Sequence, residues 1–298
     1  MEITFWGVRG SIPVPGRSTL RYGGNTPCLE VRADGKLLIL DAGSGIRELG
    51  IALQAEQRPL DVHLFITHTH WDHIQGFPFF APAYMTGSRI TVYGPKVLPN
   101  GIEGALDSQM HGAFFPLDFK SLPAIVEFRD IDNSVVNLES VTIRSTFLTH
   151  PNLSLGYRIE SDSGTMVYAT DWEPFTRFCV TAPDVNAVWR STNLARAIVA
   201  DEAMVEFCKG AGLLVCDAQY DSEEYSSRRG WGHSCVDDIV QLGLNAGVRR
   251  LALFHHDPMH DDLTIDRMVA KCRLQVRSAR RRMAVFGARE RVTVSLSH

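Results

Sequence analysis

The sequence predicts one α/β domain spanning residues 1–298, and three observations lead there. Short apolar runs suited to buried strands alternate with longer amphipathic stretches suited to helices. No internal repeat, low-complexity tract or linker divides the chain. At 298 residues and 45% hydrophobic, it is also long enough to bury a large core.

The elements follow in order. "EITFWGV" and "CLEVRA" alternate as strands do, with "RYGGN" and "ADGK" as turns, and "KLLILDAGSG" is an apolar run stopped by an aspartate and glycines. A helix is expected over "GIRELGIALQAE". A buried strand, "VHLFI", then ends at Thr67. "RITVYGP" is the next strand, followed by a long irregular connection at residues 100–123 with room for a short helix. Connections of that length often cover a site. Strands are expected in "AIVEFRDI", "VTIRSTFLTH" and "LGYRIESDSGTMVYATD", the last folding back at "SDSG". Residues 172–205 read as an irregular surface insertion with a helix near its end. The remainder alternates strand "GLLVCDA", helix "SCVDDIVQLGLNAG", strand "VRRLALFHHD", a long helix "DDLTIDRMVAKCRLQVRSARRRMAV" and strand "RVTVSL".

Composition gives no bulk reason for several classes of partner, so any affinity for a polyanion must come from a local site. A formal charge of -4 and a pI near 6.3 supply no bulk attraction to nucleic acid or to an anionic membrane. No run approaches the ~20 apolar residues of a membrane span, and "MEITFWGVRGSIP" lacks the basic and apolar regions of a secretory signal. A cytoplasmic protein is the expectation. The six cysteines show no C-x-x-C pair, which favours reduced structural thiols. Arg277, Arg280, Arg281 and Arg282 read as a solvated helix face, since no aromatic residues interleave with them.

The chemistry concentrates in "FITHTHWDHIQGF", where His68, His70, Asp72 and His73 follow directly on a buried strand. In an extended segment side chains two apart point the same way, so His68 and His70 reach one ion together. A helical turn from Trp71 would send Asp72 and His73 to a neighbouring position. Imidazole and carboxylate suit zinc, manganese or iron, and a catalytic ion needs about three protein ligands and an open position. Further ligands must come from elsewhere, and His150, Asp171 and His255 or His256 each end a predicted strand. Two divalent ions are therefore expected. His68, His70 and His150 hold one, Asp72, His73 and a histidine of the 255/256 pair the other, and Asp171 bridges. His63, inside a strand, and His111 read as ordinary core or surface residues.

The array and its downstream partners resemble the metallo-β-lactamase superfamily over almost the whole chain. "FWGVRGSIPVPG" and "LILDAGSG" are similar to the opening of its ribonuclease Z-like phosphodiesterase branch. The resemblance implies a four-layer αββα sandwich with the metals at one edge between the sheets. It also implies that Asp41 is buried and orients the metal loop, although a turn or helix cap is the alternative. In "LLVCDAQYDSEEYSSRRGWGHSCVDDIVQLGLNAGVRRLALFHHDP" it assigns Asp217 to an acidic position and His233 to a proton-donating histidine, and it favours His255 as the ligand. Two departures weaken the relay: Asp217 stands where glutamate is usual, and Cys235 stands where threonine is usual. His256 and His260 are candidates for lining the pocket.

A metal-bridging hydroxide that attacks a phosphodiester, with Asp72 accepting its proton, is the leading function. The expected substrate is a small phosphodiester such as a cyclic nucleotide, because no basic arm for gripping RNA stands out. An RNA 3′-end processing nuclease is the alternative within the branch. A lactonase or thioesterase would use the metals without Asp217 and His233. A di-iron electron-transfer module is disfavoured by His70, where such relatives carry glutamate, and a non-catalytic metal-stabilised binding protein is the remaining class. Residues 100–123 and 172–205 are expected to wall the pocket, and the family resemblance makes a homodimer an expectation.

Overall fold

The computed structural model describes residues 1–96, 101–179 and 187–297. Its first strands are β1 (Glu2–Gly7), β2 (Cys28–Ala33), β3 (Lys36–Leu40), β4 (Asp61–Phe65), β5 (Arg89–Pro95) and β6 (Ile125–Ile131). There follow β7 (Val135–Leu138), β8 (Val141–Leu148), β9 (Ser154–Ser161), β10 (Gly164–Ala169), β11 (Leu213–Asp217), β12 (Arg250–Phe254), β13 (Ala284–Gly287) and β14 (Thr293–Ser295). They form two seven-stranded sheets, ordered β14-β1-β2-β3-β4-β5-β6 and β13-β12-β11-β10-β9-β8-β7. Each sheet is mixed. β3 through β6 run parallel in the first and β10 through β13 in the second, and the other pairings are antiparallel.

The helices are α1 (Ile46–Gln54), α2 (Trp71–Ile74), α3 (Gly101–Gln109), α4 (Phe175–Cys179), α5 (Ala187–Cys208), α6 (Ser222–Tyr225), α7 (Val236–Ala246) and α8 (Asp262–Ser278). The inner layer between the sheets is built by Ile3, Phe5, Leu29, Tyr157, Tyr168 and Phe254. Leu49 and Leu53 of α1 and Leu106 of α3 pack on the first sheet, and Ile239 of α7 and Met268 of α8 on the second. This is the expected four-layer αββα sandwich. Each fully buried Leu, Ile or Phe contributes about 1.5–3 kcal/mol, so the strand ends that carry the site rest on a rigid support.

Three local readings need correction. The helix expected to run through Val285 stops at Ser278, and Arg280 turns the chain with a φ of 52°. Val285 and Phe286 can then pair with β12 as strand β13, where their β propensity outweighs the helical pattern before them. The stretch 172–205 is more ordered than expected: it contains α4 and most of α5, and Ala197 and Met204 are buried. Residues 180–186 of that stretch lie outside the described ones, as does residue 100 of the other expected insertion. β7, which the sequence reading passed over, pairs with β8 at the sheet edge.

Other expectations hold. The reversal at "SDSG" joins β9 to β10 antiparallel. Gly247 ends α7 in the left-handed conformation at φ 66°, which a glycine adopts without strain. Cys28, Cys208, Cys216, Cys235 and Cys272 are free and buried. Arg277, Arg280, Arg281 and Arg282 are exposed as expected, but only Arg277 lies on the helix, because α8 ends at Ser278. No helix among the described residues is long and apolar enough to cross a membrane.

Candidate metal centre

The site gathers where parallel strands end. β3 delivers Asp41, β4 the loop of His68 and His70, β10 Asp171, β11 Asp217 and β12 His255, while β8 leads to His150. Asp41, Asp171 and His255 all have positive φ, at 62°, 54° and 57°. Non-glycine residues occupy that region uncommonly, and strained backbone of this kind clusters at functional sites.

Three groups of ligand-capable atoms lie within 4.8 Å of one another: His68, His70, His150 and Asp171; Asp72, His73 and His255; and Asp171, Asp217, His233 and His255. Asp171 faces two ways. Its Oδ2 lies 3.5 Å from His68 Nε2 and 3.8 Å from His150 Nε2, and its Oδ1 lies 3.2 Å from His73 Nε2 and 3.1 Å from His255 Nε2. Asp72 Oδ2 lies 3.3 Å from His73 Nε2 and 3.2 Å from His255 Nε2. The structure thus brings together every residue that the sequence offered as a ligand, with one choice made between alternatives. His256 turns away, its Nε2 3.0 Å from the Ala288 carbonyl and its pKa pushed down to about 3 by burial.

The donor set fits divalent cations. His68 Nε2 and His73 Nε2 are buried without a hydrogen-bond partner, although each points into a cluster of imidazoles and carboxylates. Unpaired buried polar atoms are costly, and a cation would satisfy both. Burial holds His68 well below the usual histidine pKa and also lowers His70 and His150, so these rings keep the neutral form that ligates metals. Burial pulls His73 down too, but the carboxylates of Asp72, Asp171 and Asp41 outweigh it and raise its pKa well above the usual value. That same concentration of negative charge attracts a metal ion.

The surrounding shell fixes ring orientation. Asp41 is fully buried and accepts from Thr67 N–H at 2.8 Å, Tyr168 O–H at 2.8 Å and His73 Nδ1 at 2.8 Å. Its carboxylate therefore orients the metal loop and leaves His73 Nε2 facing the cluster. Ser11 N–H donates to Asp72 Oδ2 at 2.7 Å, which gives the N-terminal loop a physical task. Gln219 Oε1 lies 3.0 Å from His255 Nδ1 and the Gly232 carbonyl 3.0 Å from His150 Nδ1. A Cβ on Gly10 would come within 2.4 Å of the His255 ring, and one on Gly232 within 2.3 Å of His150 Nδ1, so both close approaches require glycine.

His233 stands beside the cluster, with its Nδ1 2.7 Å from Asp217 Oδ2 and its ring stacked 5.1 Å from that of His255. Burial lowers its pKa, but Asp217 more than compensates and holds it at about 9. The shorter aspartate therefore still reaches the histidine. Cys235 has another position: its backbone begins α7 as the N-cap, without a side-chain cap.

Residues 37–256 match the β-lactamase superfamily domain. The chain belongs to the metallo-β-lactamase superfamily. Within the superfamily it is ribonuclease Z-like: it is 27% identical to ribonuclease Z of Staphylococcus carnosus, covering 86% of this chain and 88% of that protein. Human tRNase Z, short form, shares the fold with a TM-score of 0.64 at 16% identity, covering 100% of both chains. A diphosphatase of the PhnP family shares it with a TM-score of 0.65 at 18% identity, covering 100% of this chain and 99% of the other. The chain is thus a hydrolase of this superfamily, whose members use divalent metal ions, and the clusters fit a binuclear centre.

Some site residues escaped the sequence. Glu173 is completely buried and accepts from Gly230 N–H at 2.9 Å, Gly232 N–H at 2.9 Å and Tyr225 O–H at 2.6 Å, which fixes the turn that carries His233. An acidic residue two positions after Asp171 was the only available signal. Gln219 and Ser11 had none. His260, a candidate for lining the pocket, pairs through Nε2 with Glu224 Oε1 at 2.8 Å and belongs to none of the three ligand groups. His63 lies 3.3 Å from the Tyr93 hydroxyl and His111 near Asp107, both outside the centre as expected.

Proposed function

We propose that this hydrolase is a binuclear phosphodiesterase acting on a small phosphodiester such as a cyclic nucleotide. His68, His70 and His150 would hold one divalent ion and Asp72, His73 and His255 the other, with one oxygen of Asp171 toward each. Bound there, such ions polarise a phosphoryl oxygen and make water nucleophilic at neutral pH. Asp72 is placed at the cluster to accept a proton during attack. His233 donates a proton to the departing alkoxide, and Asp217 holds the ring in place and keeps it charged.

The observation that carries this reading is the His233–Asp217 contact at 2.7 Å beside the ligand cluster. A thioester hydrolase, whose thiolate leaves without a proton donor, has no comparable use for a charged histidine. The processing of RNA 3′ ends remains the second reading, supported by the similarity to ribonuclease Z. The segment after residue 100 favours a small substrate: Ile102, Ala105 and Leu106 bury α3 against its own sheet. Walling of the pocket by residues 100–123 and 172–205 belongs to the same proposal.

Metal-reconstituted protein is expected to hydrolyse bis(p-nitrophenyl) phosphate. His233→Ala should retain its metal and lose about 10²–10⁴-fold in turnover, whereas Asp72→Ala should lose both metal and activity. Full metal loading with no phosphodiester turnover, alongside cleavage of lactones or thioesters, would overturn the reading. Preference for a precursor tRNA over every small ester would move RNA processing to first place.

A further inference from the structure

Trp71 lies between His70 and Asp72, yet its side chain is exposed beside the cluster to which they belong. The residue is 80% exposed, whereas Asp72 and His73 of the same helical turn are buried. An isolated exposed aromatic is ordinary. Here Phe79, 58% exposed, and Phe114, 81% exposed, join Trp71 around one cavity of about 390 Å³. Phe115 completes the aromatic wall and meets Phe79 edge-to-face at 5.5 Å.

The polar lining suits a particular kind of occupant. Gln75 donates its amide N–H to Thr26 Oγ1 at 3.1 Å, and Gln109 donates its own to the Ile74 carbonyl at 3.1 Å. One N–H of each amide is engaged, which leaves the carbonyl oxygen of each lining residue as an acceptor beside its second N–H. Flat aromatic surfaces together with acceptors match a planar heterocycle that carries N–H donors, which is the chemistry of a nucleobase. The cavity also has the size of a small-molecule pocket. Because α2 supplies Trp71 to the cavity and Asp72 and His73 to the cluster, cavity and metal centre are neighbours along one short helix.

We propose that this cavity is the base-binding subsite for a nucleotidyl phosphodiester. The base stacks on Trp71 and Phe114, and its N–H groups donate to Gln75 or Gln109 while the phosphodiester lies at the metal centre. This rests on the phosphodiesterase reading for its substrate, but base binding itself can be measured without turnover.

Two measurements on the metal-loaded full chain test it. In a fluorescence titration, adenosine 5′-monophosphate should quench tryptophan emission saturably where ribose 5-phosphate does not, and Trp71→Phe should lose that quench. Calorimetry should show about tenfold weaker nucleotide binding in Phe114→Ala, the scale of one lost base–aromatic stack. In turnover, the preference for a thymidine 5′-(p-nitrophenyl phosphate) ester over methyl p-nitrophenyl phosphate should fall about tenfold in Trp71→Ala, mainly through KM, and recover largely in Trp71→Phe. Equal binding of the nucleotide and the sugar phosphate, or an unchanged preference in Trp71→Ala, overturns the subsite even if phosphodiester turnover is robust. Nucleotide quenching through Trp71 with no turnover of either ester would retain the base site and overturn only the phosphodiesterase reading.

Discussion

The two halves of the centre meet at Asp171 but are supported by different chemistry. On the side of His68, His70 and His150 the supporting groups are neutral: Thr67 Oγ1 at 3.1 Å from His68 Nδ1, the Asn152 amide at 2.6 Å from His70 Nε2, and a backbone carbonyl on His150. On the side of Asp72, His73 and His255, one ligand candidate is itself a carboxylate, and a second carboxylate, Asp41, backs His73. His70 is also only half-buried, while His73 and His255 are fully buried. Both charge and rigidity therefore favour a cation at the Asp72 side. A metal ion held there is expected to exchange more slowly than one at the three-histidine side.

The largest expected effect comes from removing what the halves share. Asp171→Ala takes a carboxylate oxygen from each side and should abolish binding of both ions, lowering turnover by at least about 10³-fold. Metal analysis of the purified variant, read beside its rate, decides this. Retention of one tightly bound ion would show that the halves are less dependent on Asp171 than its two-sided contacts imply. Next in size is Asp41→Asn. The amide keeps the shape but turns a donor either toward Thr67 or toward Tyr168 and His73, which are donors already. Affinity at the Asp72 side should fall about 10–100-fold while the three-histidine side changes little, as measured by calorimetric metal titration. The metal-free protein should also lose about 1–3 kcal/mol of stability in denaturant. An equal loss of affinity on both sides would break the asymmetry.

Much of this centre could be read from the sequence because its ligands obey local rules. His68, His70, Asp72 and His73 occupy one loop, and His150, Asp171 and His255 each follow an apolar run that becomes a strand. The alternation of strands and helices could be read from the apolar pattern, whereas the four-layer arrangement was expected only from the family resemblance. What could not be read depends on tertiary approach. Ser11 acts through its backbone N–H, which carries no residue-specific signal, and Gln219 reaches His255 from a different strand end. Glu173 works through two glycine amides 57 and 59 residues away. The end of α8 was misplaced for a related reason: pairing of β13 with β12 overrides a local helical pattern.

The smallest expected effect is the most specific to the asymmetry. Asn152 contacts His70 from the exposed edge of the three-histidine side. Asn152→Ala should therefore weaken only the readily exchanged ion, by a few-fold up to about tenfold, the low end of what an outer partner of a metal ligand contributes. A chelator titration of the wild type should release metal in two phases. In the variant the first phase should move to lower chelator concentration and the second should stay in place. A single phase in the wild type would mean that the two pockets are equivalent despite their unequal surroundings. A shift of both phases in the variant would mean that Asp171 transmits the loss of one ion to the other, so that the halves bind cooperatively.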